Sequence, residues 1–472
     1  MSQELFDQIF HPRTVAVVGA STIDLESGWV VRLVNFGYPG RIYPVNPKAS
    51  EIAGLKCYPT VRDIPEPVDL AIFNIPARLT PQAMQDCAAR GVKIVHIFTA
   101  GFSETGKEEA RKLEARVAEI ARAGNVRVIG PNCMGVYYPA GGLTFSTTFA
   151  REAGTVSLVS QSGAGATRFV YLANDRHIYF SKVVSYGNAL DLDAPDFLEY
   201  LAEDSETAII TCYIEGVRNG RRFMAAVKRC LQWKPVIIMK AGLTESGAGA
   251  AASHTASLAG SALVWDAFFR QTGAIRVDSL EEMADVVMAL LRMKHVGGRR
   301  VGIVGRGGGI GVIATDVCER AGLKVPPFLP ETQRQLEAIS PEAGITVRNP
   351  VESAREIAGA ADFYHRGLKI VDTDPQIDFI ITHIAADIYG GRRQDMQTEL
   401  LKAAEALAVT VPALTKPLAV VLYAGEHLET FSAMLRARDL LLKAGIAVYP
   451  SMEAAARAVA IFRRARDIGK NL

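Results

Sequence analysis

The reactive side chains of this sequence sit singly in stretches of small residues. The clearest stretch runs Ala251-Ala252-Ser253-His254-Thr255-Ala256-Ser257-Leu258-Ala259-Gly260. A histidine in such a loop has little bulk around it to bury its ring. Neutral imidazole is a good nucleophile toward phosphorus and titrates near working pH. A phosphohistidine would also need a carboxylate to orient the ring and a cluster of N–H donors for the phosphoryl oxygens. Glu215 follows the apolar run 208–214 and could be that carboxylate, because strand ends converge on one edge of a parallel sheet. On the residues alone, a surface or capping histidine is the simpler reading.

Ser160-Gln161-Ser162-Gly163-Ala164-Gly165 offers the donors, at the point where the run 155–159 should hand over to a helix. Ser162 can cap that helix, and Gly163 exposes N–H groups to an anion. Simple capping explains the same residues equally well. The pattern is not GxSxG, so a serine-hydrolase elbow is excluded there.

Three further segments suit a nucleotide-like ligand. Gly19-Ala20-Ser21 follows a β-branched run, where small residues let backbone N–H groups approach phosphate. The spacing is not GxGxxG, so the dinucleotide fingerprint is absent, and a tight structural turn fits as well. Asn46-Pro47-Lys48 follows the second run and reads by itself as a Pro-stiffened turn. Gly130-Pro131-Asn132-Cys133-Met134-Gly135 puts an amide and a thiol in one loop. Asn132 could hydrogen-bond an amide-rich ligand arm. Cys133 has no basic neighbour in sequence to lower its pKa, so no covalent role is assigned to it.

The elements that must position these residues alternate throughout. Strands are predicted at 14–19, 41–45, 69–75, 93–99 and 126–129, then at 155–160, 179–184, 208–214 and 235–240, and finally at 301–305, 378–384 and 417–423. Helical patterns at 80–90, 104–123, 279–294 and from about 452 lie among them. Continuous apolar strands separated by helices predict α/β folds with parallel sheets covered on both faces. A Gly and basic connector at 295–300 separates the last cycle. Three doubly wound domains are expected.

The 472 residues include 49% hydrophobic and 22% charged positions, enough to bury several cores. Lys plus Arg total 52 against 50 Asp plus Glu. That balance gives no electrostatic case for nucleic acid or a membrane surface, so any anion site must be local. The six cysteines form no CxxC pair or metal-ligand spacing, which suits a reducing cytoplasm. There is no signal-peptide pattern, and no apolar run is long enough to span a bilayer. A cytoplasmic protein is expected.

In order, these motifs resemble the acyl-CoA synthetase (NDP-forming) family, relatives of succinyl-CoA synthetase. The resemblance runs from VAVVGAS through GRIYPVNPKASEIAGLKCYP, AGFSETG, GPNCMGV and VSLVSQSGA to YIEGV, AAASHTASLAGS, GRGGGIGVIATD and NPVE. It implies a Rossmann-like CoA-binding domain over 1–145 and two flavodoxin-like ligase domains over 146–295 and 298–472. It further implies that acyl-CoA and phosphate give acyl phosphate and free CoA, and that His254 then takes the phosphoryl group and releases the carboxylic acid. The phosphohistidine would phosphorylate a nucleoside diphosphate, usually ADP, in a reversible cycle.

By position, Gly19, Ala20, Ser21, Asn46, Pro47, Lys48, Asn132 and Cys133 match the family's CoA-binding segments. Ser162 and Gly163 match its phosphate-binding helix N-terminus, and Glu215 the acid that holds the phosphorylated histidine. Where many members read Pro-Gly-Lys-Ile-Gly, this chain has Asp24-Leu25-Glu26-Ser27-Gly28. Ala256 replaces a usual Gly, Gly305 to Ile310 departs from Thr-Asn-Ala-Gly-Gly-Pro, and Glu352 replaces a usual Asp. No ATP-grasp region follows the third domain. The chain therefore resembles an α subunit, with ATP, ADP and Mg²⁺ bound by a separate ATP-grasp β subunit in an α2β2 assembly, and with no metal site of its own. A noncatalytic CoA- or acyl-CoA-binding regulatory subunit is the alternative. A nicotinamide dehydrogenase fails on the missing GxGxxG, and a lysine acetyltransferase would need a further domain.

Overall fold

The computed structural model describes residues 3–23, 28–247, 249, 261–293, 297–306, 308–339, 347–353, 360–385, 393–423 and 427–469. It divides into two compact units, Met1–Met283 and Ala284–Leu472. The first unit holds a five-stranded, a six-stranded and a two-stranded sheet, and the second holds one of five strands.

The first sheet takes β1 (Thr14–Val18), β2 (Arg41–Val45), β5 (Leu70–Phe73), β6 (Ile94–Ile97) and β7 (Arg127–Ile129) in the order β2-β1-β5-β6-β7, all parallel. A two-stranded hairpin of β3 (Glu51–Ile52) and β4 (Leu55–Lys56) stands apart from it. Every residue of β1, β5 and β6 is buried. A strand covered by helices on both faces has no solvent side, which is why these runs do not alternate and carry only Thr14 and His96 as polar residues.

The second sheet contains β8 (Gly135–Tyr137), β9 (Val156–Ser160), β10 (Phe180–Ser185), β11 (Ile209–Ile214), β12 (Val236–Lys240) and β13 (Ile275–Val277) in the order β13-β12-β11-β9-β10-β8. Only β8 is antiparallel, paired with β10. The chain thus enters the second sheet directly after the Gly130–Gly135 loop. The third sheet, in the other unit, orders β14 (Val301–Arg306), β15 (Val351–Ser353), β16 (Phe379–Ala385), β17 (Leu418–Tyr423) and β18 (Ala447–Tyr449) as β15-β14-β16-β17-β18.

Leaving β8 aside, all three sheets share one order. The second parallel strand lies on one side of the first, and the third, fourth and fifth lie on the other. Chain direction across such a sheet reverses between its first and third strands, and the crevice outside their carboxyl ends is where ligands bind in this topology. These crevices lie at β1/β5, β9/β11 and β14/β16.

The helices relevant to the sites are α1 (Gln3–Phe10), α2 (Trp29–Phe36), α3 (Thr80–Ala89), α4 (Glu108–Ala123), α5 (Gly163–Asn174), α6 (Ala194–Glu203) and α7 (Gly220–Leu231). Local chemistry sets their starts. Asp193 and Asp196 form a capping box at α6 with Pro195 in its first turn, and Asn219 accepts from the Arg222 N–H at α7. Between the two sheets of the first unit, Arg127 pairs with Asp191 at 2.7 Å, and the Leu190 N–H donates to the Gly130 carbonyl at 2.8 Å.

Candidate functional site

At the β1/β5 crevice, Gly19 adopts φ +83°, and a Cβ there would overlap the Asn74 carbonyl and Ile75. Only glycine meets both conditions. The Gly19 and Ala20 N–H groups donate to the Val45 carbonyl at 2.9 and 3.3 Å. Asn46 binds the two loops together: its Nδ2 donates to the Ala20 carbonyl at 2.9 Å, and its Oδ1 accepts from the Lys48 N–H at 2.9 Å. Ser21 Oγ accepts from the Ile23 N–H, and Pro47 and Lys48 are exposed. Gly19, Ala20, Ser21, Asn46, Pro47 and Lys48 therefore come together at one edge of the first sheet, with Ala20 buried and the Gly19 and Ala20 N–H groups engaged by the Val45 carbonyl rather than free for an anion. Asp24, Leu25, Glu26 and Ser27 lie outside the described residues.

Asn132 and Cys133 follow β7, three strand positions from β1 on the same sheet edge. Asn132 has φ +57°, and its Nδ2 donates to Asn188 Oδ1 at 3.4 Å. Cys133 is buried with its thiol toward the Ile97 carbonyl, and burial pushes that thiol far up. A thiol held protonated is no nucleophile. Beneath the loop, His96 contacts the Cys133 carbonyl at 3.2 Å, and burial lowers its pKa to about 4 although that contact opposes the shift. Asn188 was not singled out in the sequence. Its amide donates to Glu104 Oε2 at 2.6 Å and to Glu114 Oε2 at 3.1 Å, linking the second sheet to the helical side of the first.

The β9/β11 crevice brings the phosphate candidates together. Ser162 caps α5, its Oγ accepting from the Gly165 N–H at 3.1 Å. A side chain at Gly163 would press on Met134 of the 130–135 loop, so the helix start packs against that loop. Glu215 is the first residue after β11 and is buried. Gln161 joins the two: its Oε1 accepts from the N–H groups of both Glu215 and Gly216, at 2.8 and 2.9 Å. Tyr213 reaches the Glu215 carboxylate through its hydroxyl, and burial, then that acid, push the phenol up to about 12. Lys240 ends β12, the next strand over, and is buried too. Gln161, Tyr213 and Lys240 were missed in the sequence. His254, with Ala256 beside it, lies outside the described residues.

In the third sheet, Gly305 lies where a Cβ would overlap the His383 ring. His383 is buried, neither of its ring nitrogens is hydrogen-bonded among the described residues, and burial lowers its pKa to about 4. Gly307 lies outside the described residues.

Residues 13–139 match the CoA binding domain family, and residues 153–290 match the succinyl-CoA ligase like flavodoxin domain. The alpha subunit of acetate–CoA ligase (ADP-forming) II from Pyrococcus furiosus is 36% identical over 468 residues, covering 98% of this chain and 99% of that one. The chain belongs to the ADP-forming acyl-CoA synthetase family of acid–thiol ligases, alpha-subunit type. Acetate–CoA ligase (ADP-forming) I of Archaeoglobus fulgidus is 39% identical over 404 residues, 85% of this chain, but this match spans only 57% of that longer relative. Among solved structures, the acetyl-coenzyme A synthetase 1 of Ca. Korarchaeum cryptofilum, in complex with phosphate and ADP, superposes with a TM-score of 0.84 at 30% identity, covering 99% of this chain and 98% of that one. Among the described residues no helix is long and apolar enough to cross a membrane, and no cluster of three or more metal-ligating side chains occurs.

Proposed function

We propose that this subunit performs the acyl-CoA and phosphate half of a reversible acyl-CoA synthetase cycle, with His254 carrying the phosphoryl group between half-reactions. The observation that supports this most is the double acceptance by Gln161 Oε1, which fixes Glu215 beside the N-terminus of α5. An acid so held can accept from one ring nitrogen of a docked imidazole and leave the other to attack phosphorus. The N–H groups opened by Gly163, together with the helix dipole, are suited to the phosphoryl oxygens, with Ser162 fixing that helix start.

The cradle of Gly19, Ala20, Ser21, Asn46, Pro47 and Lys48 would hold CoA, with Asn132 and the backbone around Cys133 toward its reactive arm. CoA supplies the thiol that takes up the acyl group. We assign the CoA-binding domain to 1–145, the phosphohistidine domain to 146–295 and the second ligase domain to 298–472. Net ATP formation would need an ATP-grasp β subunit binding ADP and Mg²⁺, in an α2β2 assembly. Six free, buried thiols fit a cytoplasmic setting.

The test is transfer from γ-labelled ATP, with Mg²⁺ and a partner β subunit, to the wild-type chain and to His254→Ala. Acid-labile, base-stable label on wild type alone is the expected result. Absence of label from wild type with a competent partner would replace this reading by a noncatalytic CoA-binding subunit.

A further inference from the structure

The loop that carries Asn132 is seated on a second segment, Gly187 to Leu190, which follows β10. The Asn188 N–H donates to the Pro131 carbonyl at 3.0 Å, and the Leu190 N–H to the Gly130 carbonyl at 2.8 Å. Gly187 adopts φ +55°, and a Cβ there would overlap the carbonyls of Pro131 and Asn132. Arg218 holds the segment in turn, its guanidinium donating to the Asn188 carbonyl at 2.7 Å. Asn132 is half-buried just past the carboxyl end of β7, whereas Asn188 is only 4% exposed and lies beneath it.

The Asn188 side chain can face only one way. Its Nδ2 meets Glu104 Oε2 at 2.6 Å, Glu114 Oε2 at 3.1 Å and Ser103 Oγ at 3.3 Å. An ionised carboxylate accepts and cannot donate, so the acids demand the N–H groups of that amide and exclude its oxygen. Burial acts to raise the Glu104 pKa, but the Asn188 amide and the Gly101 and Phe102 N–H groups bring it below the ordinary carboxylate range. Asn188 Oδ1 is therefore turned toward Asn132, whose Nδ2 donates to it at 3.4 Å. An amide has one donor end and one acceptor end. With its NH2 turned to Asn188, Asn132 directs Oδ1 away, and among the described residues no donor meets that oxygen.

We propose that Asn188 is a positioning residue for the arm of CoA, turning Asn132 so that its Oδ1 accepts from one of the arm's amide N–H groups. Glu104 and Glu114 set the polarity of that contact, and they reach the ligand only through the two amides. This rests on the CoA-binding reading of Asn132 above. Asn188 touches no ligand atom; it acts through Asn132.

The experiment measures, by calorimetry on the full chain, the binding of CoA and of phosphoadenosine diphosphate, the half of CoA that lacks the arm. The set is wild type, Asn132→Ala, Asn188→Ala and the Asn132→Ala/Asn188→Ala pair. Asn188→Ala is expected to weaken CoA binding about tenfold, the scale of one hydrogen bond, and to leave phosphoadenosine diphosphate unaffected. The pair should bind CoA no more weakly than Asn132→Ala alone, because Asn188 then has nothing left to turn. A second measurement needs no substitution at Asn188: CoA analogues with an ester oxygen in place of an arm N–H, made at each amide in turn. One of them should bind wild type about tenfold more weakly than CoA, and that difference should vanish in Asn132→Ala. Unchanged CoA binding by Asn188→Ala, equal loss of CoA and its armless half, additive losses in the pair, or ester analogues that bind wild type as CoA does each overturn the proposal. Failure of the underlying reading looks different and takes the proposal with it: the wild-type chain would bind no CoA, or Asn132→Ala would bind it as wild type does.

Discussion

The two edges of the second sheet each bury a lysine, and the two are treated differently. Lys182 lies near the start of β10 at the amino-terminal edge, 1% exposed, with Nζ 2.9 and 3.0 Å from the oxygens of Asp204. Glu206 also binds it, and the rings of Phe10, Tyr138 and Tyr200 surround it. Among the described residues, Lys240 at the carboxyl edge meets the Ala241 carbonyl and the Trp265 indole. A fully paired cation locks the connections at its edge together. The difference follows from the chain path, because the carboxyl edge holds the β9/β11 crevice.

Breaking the amino-terminal pair should give the largest effect on stability. Asp204→Ala leaves Lys182 buried beside the more exposed Glu206, and removing one partner of a buried pair costs about 3–5 kcal/mol. Denaturant unfolding of the full chain checks this, with labelling of the folded fraction expected to stay near wild type. A large labelling defect there would erase the contrast between the edges.

Acid comes next. His96 is 2% exposed, with its folded pKa near 4 against an ordinary 6.5. A histidine depressed in the fold contributes stability that is fully present above pH 6.5 and is lost as pH falls toward 4, because the unfolded chain takes up the proton first. The loss reaches about 3 kcal/mol near pH 4. It bears on the loop 130–135, against which α5 starts. Melting curves across this range for wild type and His96→Gln should differ in slope, the variant being flatter. Parallel slopes would contradict the assignment.

The smallest expected stability change belongs to the carboxyl edge. Ser162→Ala removes a cap worth about 1 kcal/mol. Its labelling rate should nonetheless fall by more than that loss of folded protein explains. Equal losses in both would leave Ser162 as a cap and nothing more.

The strands of this architecture were legible because fully buried parallel strands are continuous apolar runs. TVAVV, LAIF, VSLVS and VIIMK declare themselves. The short strands β8, β13, β15 and β18 were not, since three residues carry no periodicity and β8 is set by antiparallel pairing with a strand some fifty residues away. The candidate site was legible where a residue type suggests chemistry, as at Glu215, or where a glycine must be small, as at Gly19. Gln161, Tyr213 and Lys240 lay inside strings already read as strand or cap. Their places beside Glu215 or on the next strand depend on β9, β11 and β12 being neighbours, which follows from topology and not from spacing along the chain.

The most direct measurement uses the reaction from the acyl-CoA side, where every proposed participant belongs to this chain. The purified subunit, without partner or nucleotide, is mixed with acetyl-CoA and ³²P-labelled inorganic phosphate, and the protein is examined for acid-labile label. Label that approaches one per chain, releases free CoA in step and disappears in His254→Ala is the predicted result. Label formed from γ-labelled ATP and partner, but never from phosphate and any acyl-CoA of a panel headed by acetyl-CoA, would contradict the placement of that half-reaction at the carboxyl edge of the second sheet.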